Sequence, residues 1–262
     1  MKRVRLDTLL SERGMFPSRS RAAASVLAGD VLLLPGRRRA DKPGQLVSED
    51  VQVELRDAPR FVSRGGIKLS NALDALGIEV ADRFALDVGA STGGFTDCLL
   101  QRGAAHVVAL DVAYGELDWR LRNDPRVTVI ERRNARSLRP DELPYAPDLI
   151  VIDVSFISLA KVLGAVLACA AQRFDCLALV KPQFEVGRGA VGKGGVVRDP
   201  AARRGALLDV ARVASGLGVS VAGFASSGLP GPKGNLETFV WLSEAARTPV
   251  AQLERAVAEV EP

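Results

Sequence analysis

The stretch Phe84-Ala-Leu-Asp-Val-Gly-Ala-Ser-Thr-Gly-Gly-Phe-Thr96 decides the fold. Phe84 to Val88 reads as a buried strand that passes through a glycine-rich turn into a helical pattern. In an open α/β sheet, a strand, turn and helix in that order form the place where a nucleotide-like ligand binds, at the carboxyl end of the strand. The spacing departs from Gly-x-Gly-x-x-Gly, because Ser91 stands where the middle glycine would be. A dinucleotide must lay its pyrophosphate on the helix N-terminus, so the departure argues against one. S-adenosylmethionine has no phosphate to cradle and fits the turn better. Asp87, Gly89, Ser91, Gly93, Gly94 and Phe95 are the cofactor-side candidates here. Asp111 ends the next apolar run, 24 positions after Asp87, where a carboxylate can accept hydrogen bonds from both hydroxyls of a ribose. Asn134 and Ala135, just past a third run, are candidates for the adenine edge. A glycine turn or a strand-end aspartate alone is a common structural feature; their order on successive elements carries the ligand reading.

Outward from this turn the pattern repeats. Strands at Phe84 to Val88, Val107 to Asp111, Val127 to Ile130, Leu149 to Asp153 and Leu177 to Lys181 alternate with helical stretches, among them Gly66 to Leu76, Leu159 to Ala171 and Ala201 to Ser215. Such alternation predicts an α/β fold with a doubly wound, Rossmann-like parallel sheet. Val219 to Phe224 and Thr238 to Leu242 are joined by a turn-rich segment around Pro230-Gly-Pro-Lys-Gly234, which predicts an antiparallel last strand. Ahead of the sheet, helices at Leu6 to Glu12 and Arg19 to Leu27, with Ser18 as N-cap, and strands at Val31 to Leu34 and Val51 to Leu55 predict a small α+β unit. Asp57-Ala-Pro-Arg60 interrupts the pattern. The expected division is therefore a small domain over 1–58, a linker over 59–64 and the large domain over 65–262.

Composition agrees: 262 residues, 47% hydrophobic and only 5% aromatic, suit an α/β protein with a full core. Net charge is +4 but uneven. Residues 1–64 hold 13 Lys and Arg against 8 Asp and Glu, whereas the remainder holds 22 against 23. A basic module on a near-neutral body fits a grip on a polyanion, because phosphate binding draws its affinity from clustered cations; a solvated surface is the plain alternative. No apolar run reaches the 18 or so residues that span a bilayer, and Met1 to Gly14 is too charged for a signal peptide, so a cytoplasmic protein without membrane contact is expected. Cys98, Cys169 and Cys176 lie in apolar stretches without metal-ligand spacing, and a lone His106 opening a strand reads as a packing residue, so no metal is expected.

Four polar residues fall at element ends: Lys68, Asp153, Lys181 and Glu237. Asp153 and Lys181 follow apolar runs, which puts both at the carboxyl edge of the sheet, on the cofactor side. Lysines and carboxylates there can hold a hydroxyl in line with a methyl donor, and a desolvated lysine can take the hydroxyl proton. Two structural ion pairs are an equal reading of the same residues. Gly187 to Gly195 is glycine-rich and basic, and reads as a lid or RNA-contact loop or as a plain mobile loop. Arg132, Arg133, Arg136 and Arg139 extend an RNA track or form a solvated face.

The segments Gly-Ala-Ser-Thr-Gly-Gly-Phe-Thr (89–96), Leu-Arg-Asn-Asp-Pro-Arg-Val (121–127), Asp-Val-Ser-Phe-Ile-Ser-Leu (153–159) and Val-Lys-Pro-Gln-Phe-Glu-Val-Gly (180–187) resemble the TlyA family, in which an S4-type RNA-binding domain precedes an FtsJ-like methyltransferase. The resemblance covers nearly the whole chain. It implies 2'-O-methylation of cytidine in ribosomal RNA, on ribosomal subunits, with S-adenosylmethionine as donor and the protein acting as a monomer; some members carry the label haemolysin. It also implies that Lys68, Asp153, Lys181 and Glu237 form the catalytic set. Arg5-Leu-Asp7, Ser18-Arg-Ser-Arg21 and Lys42-Pro43 resemble its S4 module, which makes Arg5, Arg19, Arg21, Arg37, Arg38, Arg39, Lys42 and Arg64 the RNA-binding candidates. Two departures stand out. The turn Leu34-Pro-Gly-Arg-Arg-Arg39 is more basic than is usual in the family, and Arg60-Phe61-Val62 replaces the family's Arg-x-Trp-Val linker. Residues before Arg5 and after Leu242 leave room for the short terminal extensions that accompany activity on both subunits.

Overall fold

The computed structural model describes residues 3–56 and 60–261. Asp57 to Pro59, the end of the expected small domain and the start of the expected linker, lie outside the described residues. The chain divides into one unit up to Arg60 and another from Phe61 onward.

The first unit holds five short strands, β1 (Arg3–Arg5), β2 (Val31–Leu33), β3 (Arg38–Arg39), β4 (Leu46–Ser48) and β5 (Val53–Leu55). β1 pairs antiparallel with β4, and β2 is the centre of a three-stranded sheet ordered β3-β2-β5. Helix Arg19–Ala28 starts where Ser18 Oγ accepts the Arg21 N–H at 3.3 Å and stops at Gly29, which takes φ +87. Both helices bury an apolar stripe, Leu6, Leu9 and Leu10 from Leu6–Glu12 and Ala22 and Val26 from Arg19–Ala28, against Val31 and Leu33. The two- and three-residue strands β1, β3 and β4 were not anticipated, because they stand alone, whereas β2 and β5 lie within the longer patterned stretches Val31 to Leu34 and Val51 to Leu55.

The second unit is built on seven strands: β6 (Phe84–Val88), β7 (His106–Leu110), β8 (Val127–Ile130), β9 (Leu149–Ile152), β10 (Asp175–Val180), β11 (Ser220–Ser226) and β12 (Thr238–Ser243). Their order is β11-β12-β10-β9-β6-β7-β8. β6 to β10 are parallel, and β12 runs antiparallel between β10 and β11. This is the doubly wound sheet with an antiparallel last strand that the sequence predicts. Residues alternate between two cores, Leu149 and Val151 on one face and Ile150 and Ile152 on the other. Strands covered on both faces cannot alternate in polarity, which is why they read as continuous apolar runs. Helices Arg64–Leu76 and Gly94–Gln101 cover one face; Pro200–Gly216 and Leu253–Val260 cover the other.

Three expectations change. Leu159 to Ala171 is not one helix but a 3-10 turn, Leu159–Lys161, and a short helix, Leu163–Leu167, which meet at the buried Val162, where φ stretches to −113. Phe61 to Arg64, read as linker, belong to the second unit: the buried Phe61 ring packs over Gly66, and the helix begins at Arg64. Helix Leu253–Val260, which buries Val257, was not foreseen. Among the described residues no helix is long and apolar enough to cross a membrane.

Candidate active site

Strand order reverses between β6 and β9, and a crevice opens there at the carboxyl ends of the strands. It is occupied by two adjoining cavities of about 480 and 380 Å³, which share Gly89, Ser91, Asp153 and Ser155 as walls. Asp111, Asp153 and Lys181 each lie one residue beyond β7, β9 and β10, so the sheet itself delivers them to this edge.

The larger cavity is lined by Gly89, Ser91, Asp111, Asn134 and Ala135 from the predicted set. Gly89 takes φ +86, and a Cβ there would stand 2.6 Å from the Asp153 carbonyl oxygen, so only glycine lets the ends of β6 and β9 pass this closely. Asp111 is fixed by two backbone donors: the Ser91 N–H reaches Oδ2 at 2.7 Å and the Ala113 N–H reaches Oδ1 at 2.7 Å. Each oxygen keeps a lone pair for a ligand hydroxyl. Asn134 Oδ1 accepts the Arg136 N–H at 3.0 Å, which leaves its amide N–H group for other partners.

Two predicted cofactor residues line neither cavity. Asp87 is wholly buried beneath the turn, where Thr96 Oγ1 donates to it at 2.7 Å, and burial pushes its carboxyl up to about 7. Gly93, at φ +94, is glycine because a Cβ would strike the side chains of Leu121 and Leu117. Both support the turn from behind. Gly94 and Phe95 border the second cavity, and Gly94 allows its helix to approach Gly65 and Gly66 of helix Arg64–Leu76.

The second cavity gathers Lys68, Asp153 and Lys181, with Arg64 at its rim. Lys181 Nζ lies 2.5 Å from Asp153 Oδ1 and donates to Ser155 Oγ at 2.8 Å. Lys68 is paired with Glu237, which is covered by Gly231 and lies behind the wall rather than in it. The side chains of Lys68 and Lys181 are only 8% and 11% exposed. Buried charge at this level persists only when paired, and here each cation has its own carboxylate. Arg64 Nη2 donates to the Pro230 carbonyl at 2.7 Å, tying the turn 230–234 to the same rim.

Ser155 and Glu116 were missed. Ser155 sits between both cavities, and Glu116 lines the larger one while accepting from Ser91 Oγ at 3.2 Å. Glu116 lies in an irregular segment without periodic signal; Ser155 lies inside the family-like segment 153–159. Residues 187–195 line neither cavity. Their far end is tied down by the buried Asn235, whose Nδ2 donates to the Gly195 carbonyl at 2.8 Å. Arg133 and Arg139 are engaged locally by Glu142 and Asp141, and Arg132 stacks over Tyr114. His106 is a packing residue, bonded to Tyr145 and Thr128. The three cysteines are buried, and burial pushes the Cys176 thiol well above its ordinary range.

Of the RNA-binding candidates in the first unit, Arg5, Arg19, Arg21, Arg37, Arg38, Arg39 and Lys42 are all exposed. Arg5 and Arg19 are brought together on the buried Asp7, at 2.8 and 3.2 Å, and the Arg5 guanidinium foremost holds that carboxyl well below the usual range. Arg37 pairs with Glu54 at 2.5 Å.

The lining of the larger cavity limits what it can hold. Asp111 and Glu116 line it, Asp153 is already matched by Lys181, and the one cation among its described lining residues, Arg133, is taken by Glu142 at 2.6 Å. Carboxylates without a free cation suit a positively charged nucleoside and not a phosphate-bearing one. Apolar walls with a few convergent polar groups are those of a small-molecule site.

A seven-stranded sheet with this strand order and such a crevice defines the methyltransferase class, and the FtsJ-like methyltransferase family model matches residues 61–244. A 16S/23S rRNA (cytidine-2'-O)-methyltransferase TlyA of Mycobacterium tuberculosis is 53% identical over 92% of this chain and 90% of its own length. A relative from Brachyspira hyodysenteriae that carries the name Hemolysin A is 39% identical over 89% of this chain and 97% of its own. A solved structure from Streptococcus thermophilus, assigned as a hemolysin, superposes with TM-score 0.74 at 38% identity, covering 99% of this chain and 96% of that one. The chain belongs to the TlyA family of FtsJ-like methyltransferases.

Proposed function

We propose that this chain transfers a methyl group from S-adenosylmethionine to the 2'-hydroxyl of a cytidine in ribosomal RNA. The observation that carries the reading is the Lys181–Asp153 pair, whose lysine lines one cavity and whose carboxylate lies on the wall shared with the adjoining cavity, which suits a cationic nucleoside. When bound, S-adenosylmethionine supplies an electrophilic methyl carbon. Asp111 would hold its ribose hydroxyls, with Asn134 and Ala135 at the adenine and Gly89 and Ser91 letting it lie close to the acceptor.

In the second cavity Lys181, once it has released its own proton to solvent, would take the proton of the acceptor hydroxyl as that oxygen receives the methyl group. Asp153 and Ser155 aim its Nζ, and Lys68, braced by Glu237, steadies the acceptor oxygen. Orientation of this kind can supply several kcal/mol of the barrier, on the order of 7 to 11 in well-aligned systems. The exposed arginines of the first unit, read as an S4-like module, hold phosphates and so position the RNA by shape. The name of the 53%-identical relative supports cytidine as the target and both ribosomal subunits as substrates, and hence a cytoplasmic site of action. Mass spectrometry of ribosomal RNA nucleosides, prepared with and without the protein, tests the proposal. It expects added 2'-O-methylcytidine; methylation of a base instead would overturn it.

A further inference from the structure

Glu185 lines neither cavity, yet it grips the loop that serves both. After β9 the chain runs Asp153-Val-Ser-Phe-Ile-Ser-Leu159, and Phe156 in its middle holds φ +64 with the residue 92% exposed. An aromatic residue is disfavoured in the left-handed region, and a ring in solvent recovers little by burial. The ring has Phe184 beside it, at 5.3 Å between centroids. The conformation therefore depends on its flanks. On one side Lys181 Nζ donates to Ser155 Oγ at 2.8 Å. On the other, Glu185 accepts twice, from Ser158 Oγ at 2.6 Å and from the Leu159 N–H at 2.9 Å. Both grips come from one short segment, Lys181-Pro-Gln-Phe-Glu185, so the chain that carries Lys181 also brackets Phe156.

We propose that Glu185 is a positioning residue for methyl transfer: by holding Ser158 and Leu159 it keeps Phe156 left-handed, and so keeps Asp153 and Ser155 against Lys181. The proposal rests on the methyl-transfer reading given above. It assigns Glu185 no contact with either substrate.

Glycine adopts φ +64 without penalty, so replacing Phe156 by glycine removes the need for the clamp. The test is a double-mutant cycle on the full chain, with kcat and KM measured on ribosomal subunits for wild type, Glu185→Ala, Phe156→Gly and the pair. Glu185→Ala should lower kcat about 30-fold in the wild-type background, within the range expected when a strained conformer is released, with both KM values changed by less than about 3-fold. In the Phe156→Gly background the same change should cost less than about 3-fold. Equal losses in the two backgrounds, or a loss confined to KM, would overturn the proposal. Should Glu185→Ala fail to fold, Glu185→Gln, which keeps one acceptor, runs the same cycle, and the same pattern of losses supports or overturns the proposal. A wild type that methylates no ribose fails before any variant is compared, and overturns the methyl-transfer reading and this proposal with it.

Discussion

In the first unit one carboxylate, Asp7, serves two arginines whose side chains stay 47% and 57% exposed; in the second, two lysines at 8% and 11% exposure each have a carboxylate of their own. Arginine keeps its charge at any ordinary pH and offers a planar fork that matches phosphate, so a carboxylate behind it fixes the fork without neutralising its outer edge. Lysine can release its proton, and burying it next to a reacting group puts that exchange where chemistry occurs. On the proposed reading, the same elementary pair serves binding where it is wet and catalysis where it is dry.

Exchanging one cation type for the other at the buried site should have the largest effect. Lys181→Arg preserves charge but removes the group that takes the proton, so methyl transfer should fall by about 1,000-fold, within the range for loss of a general base. Cofactor affinity by titration calorimetry should barely change; near-normal turnover would reduce Lys181 to a charge. Glu237→Ala comes next, because it strands Lys68 in a buried wall. Unfolding in urea should show a loss of about 3 to 5 kcal/mol, the usual cost of breaking a buried pair from one side. A loss of under about 0.5 kcal/mol, normal for a surface change, would mean that the pair is not truly dry.

The converse exchange, Arg5→Lys with Arg19→Lys, should be mild: RNA affinity falls a few-fold while its salt dependence, set by the number of charges, stays the same. A changed slope of affinity against salt would show that these residues do more than count charges. The smallest effect is on acid stability. Asp7 has its carboxyl lowered in the folded chain, mainly by Arg5, so its contribution is complete above the unfolded value of about 3.9 and is lost as pH falls through the lower folded value. Thermal melts should therefore show the first unit weakening below about pH 4, and Asp7→Asn should lack that component.

Much of the site was legible because buried parallel strands announce their own ends. Asp111, Asp153 and Lys181 are each the first polar residue after an apolar run, and each stands one position past its strand. Glycines were harder. Gly89 and Gly93 look alike in sequence, yet one is required by the neighbouring strand end and the other by two leucines. Asp87 was read toward the ligand, but strand parity turns it to the face of Ala85, beneath Thr96. Glu185 and Ser158 are 27 positions apart and meet only because the short helix Pro182–Glu185 packs against the segment after β9, which no local pattern encodes. Phe61 reads as linker because a linker-like sequence surrounds it, while a glycine five positions on leaves room for its buried ring.

In the proposed reaction a ribose hydroxyl gives up its proton to Lys181 of the second unit. The decisive experiment offers the protein ribosomal subunits in which the target cytidine is replaced by its 2'-deoxy form, with labelled methyl donor. Transfer to that nucleotide should disappear while the unsubstituted subunit is still methylated. Continued labelling of the deoxynucleotide would contradict it and move the reaction to the base.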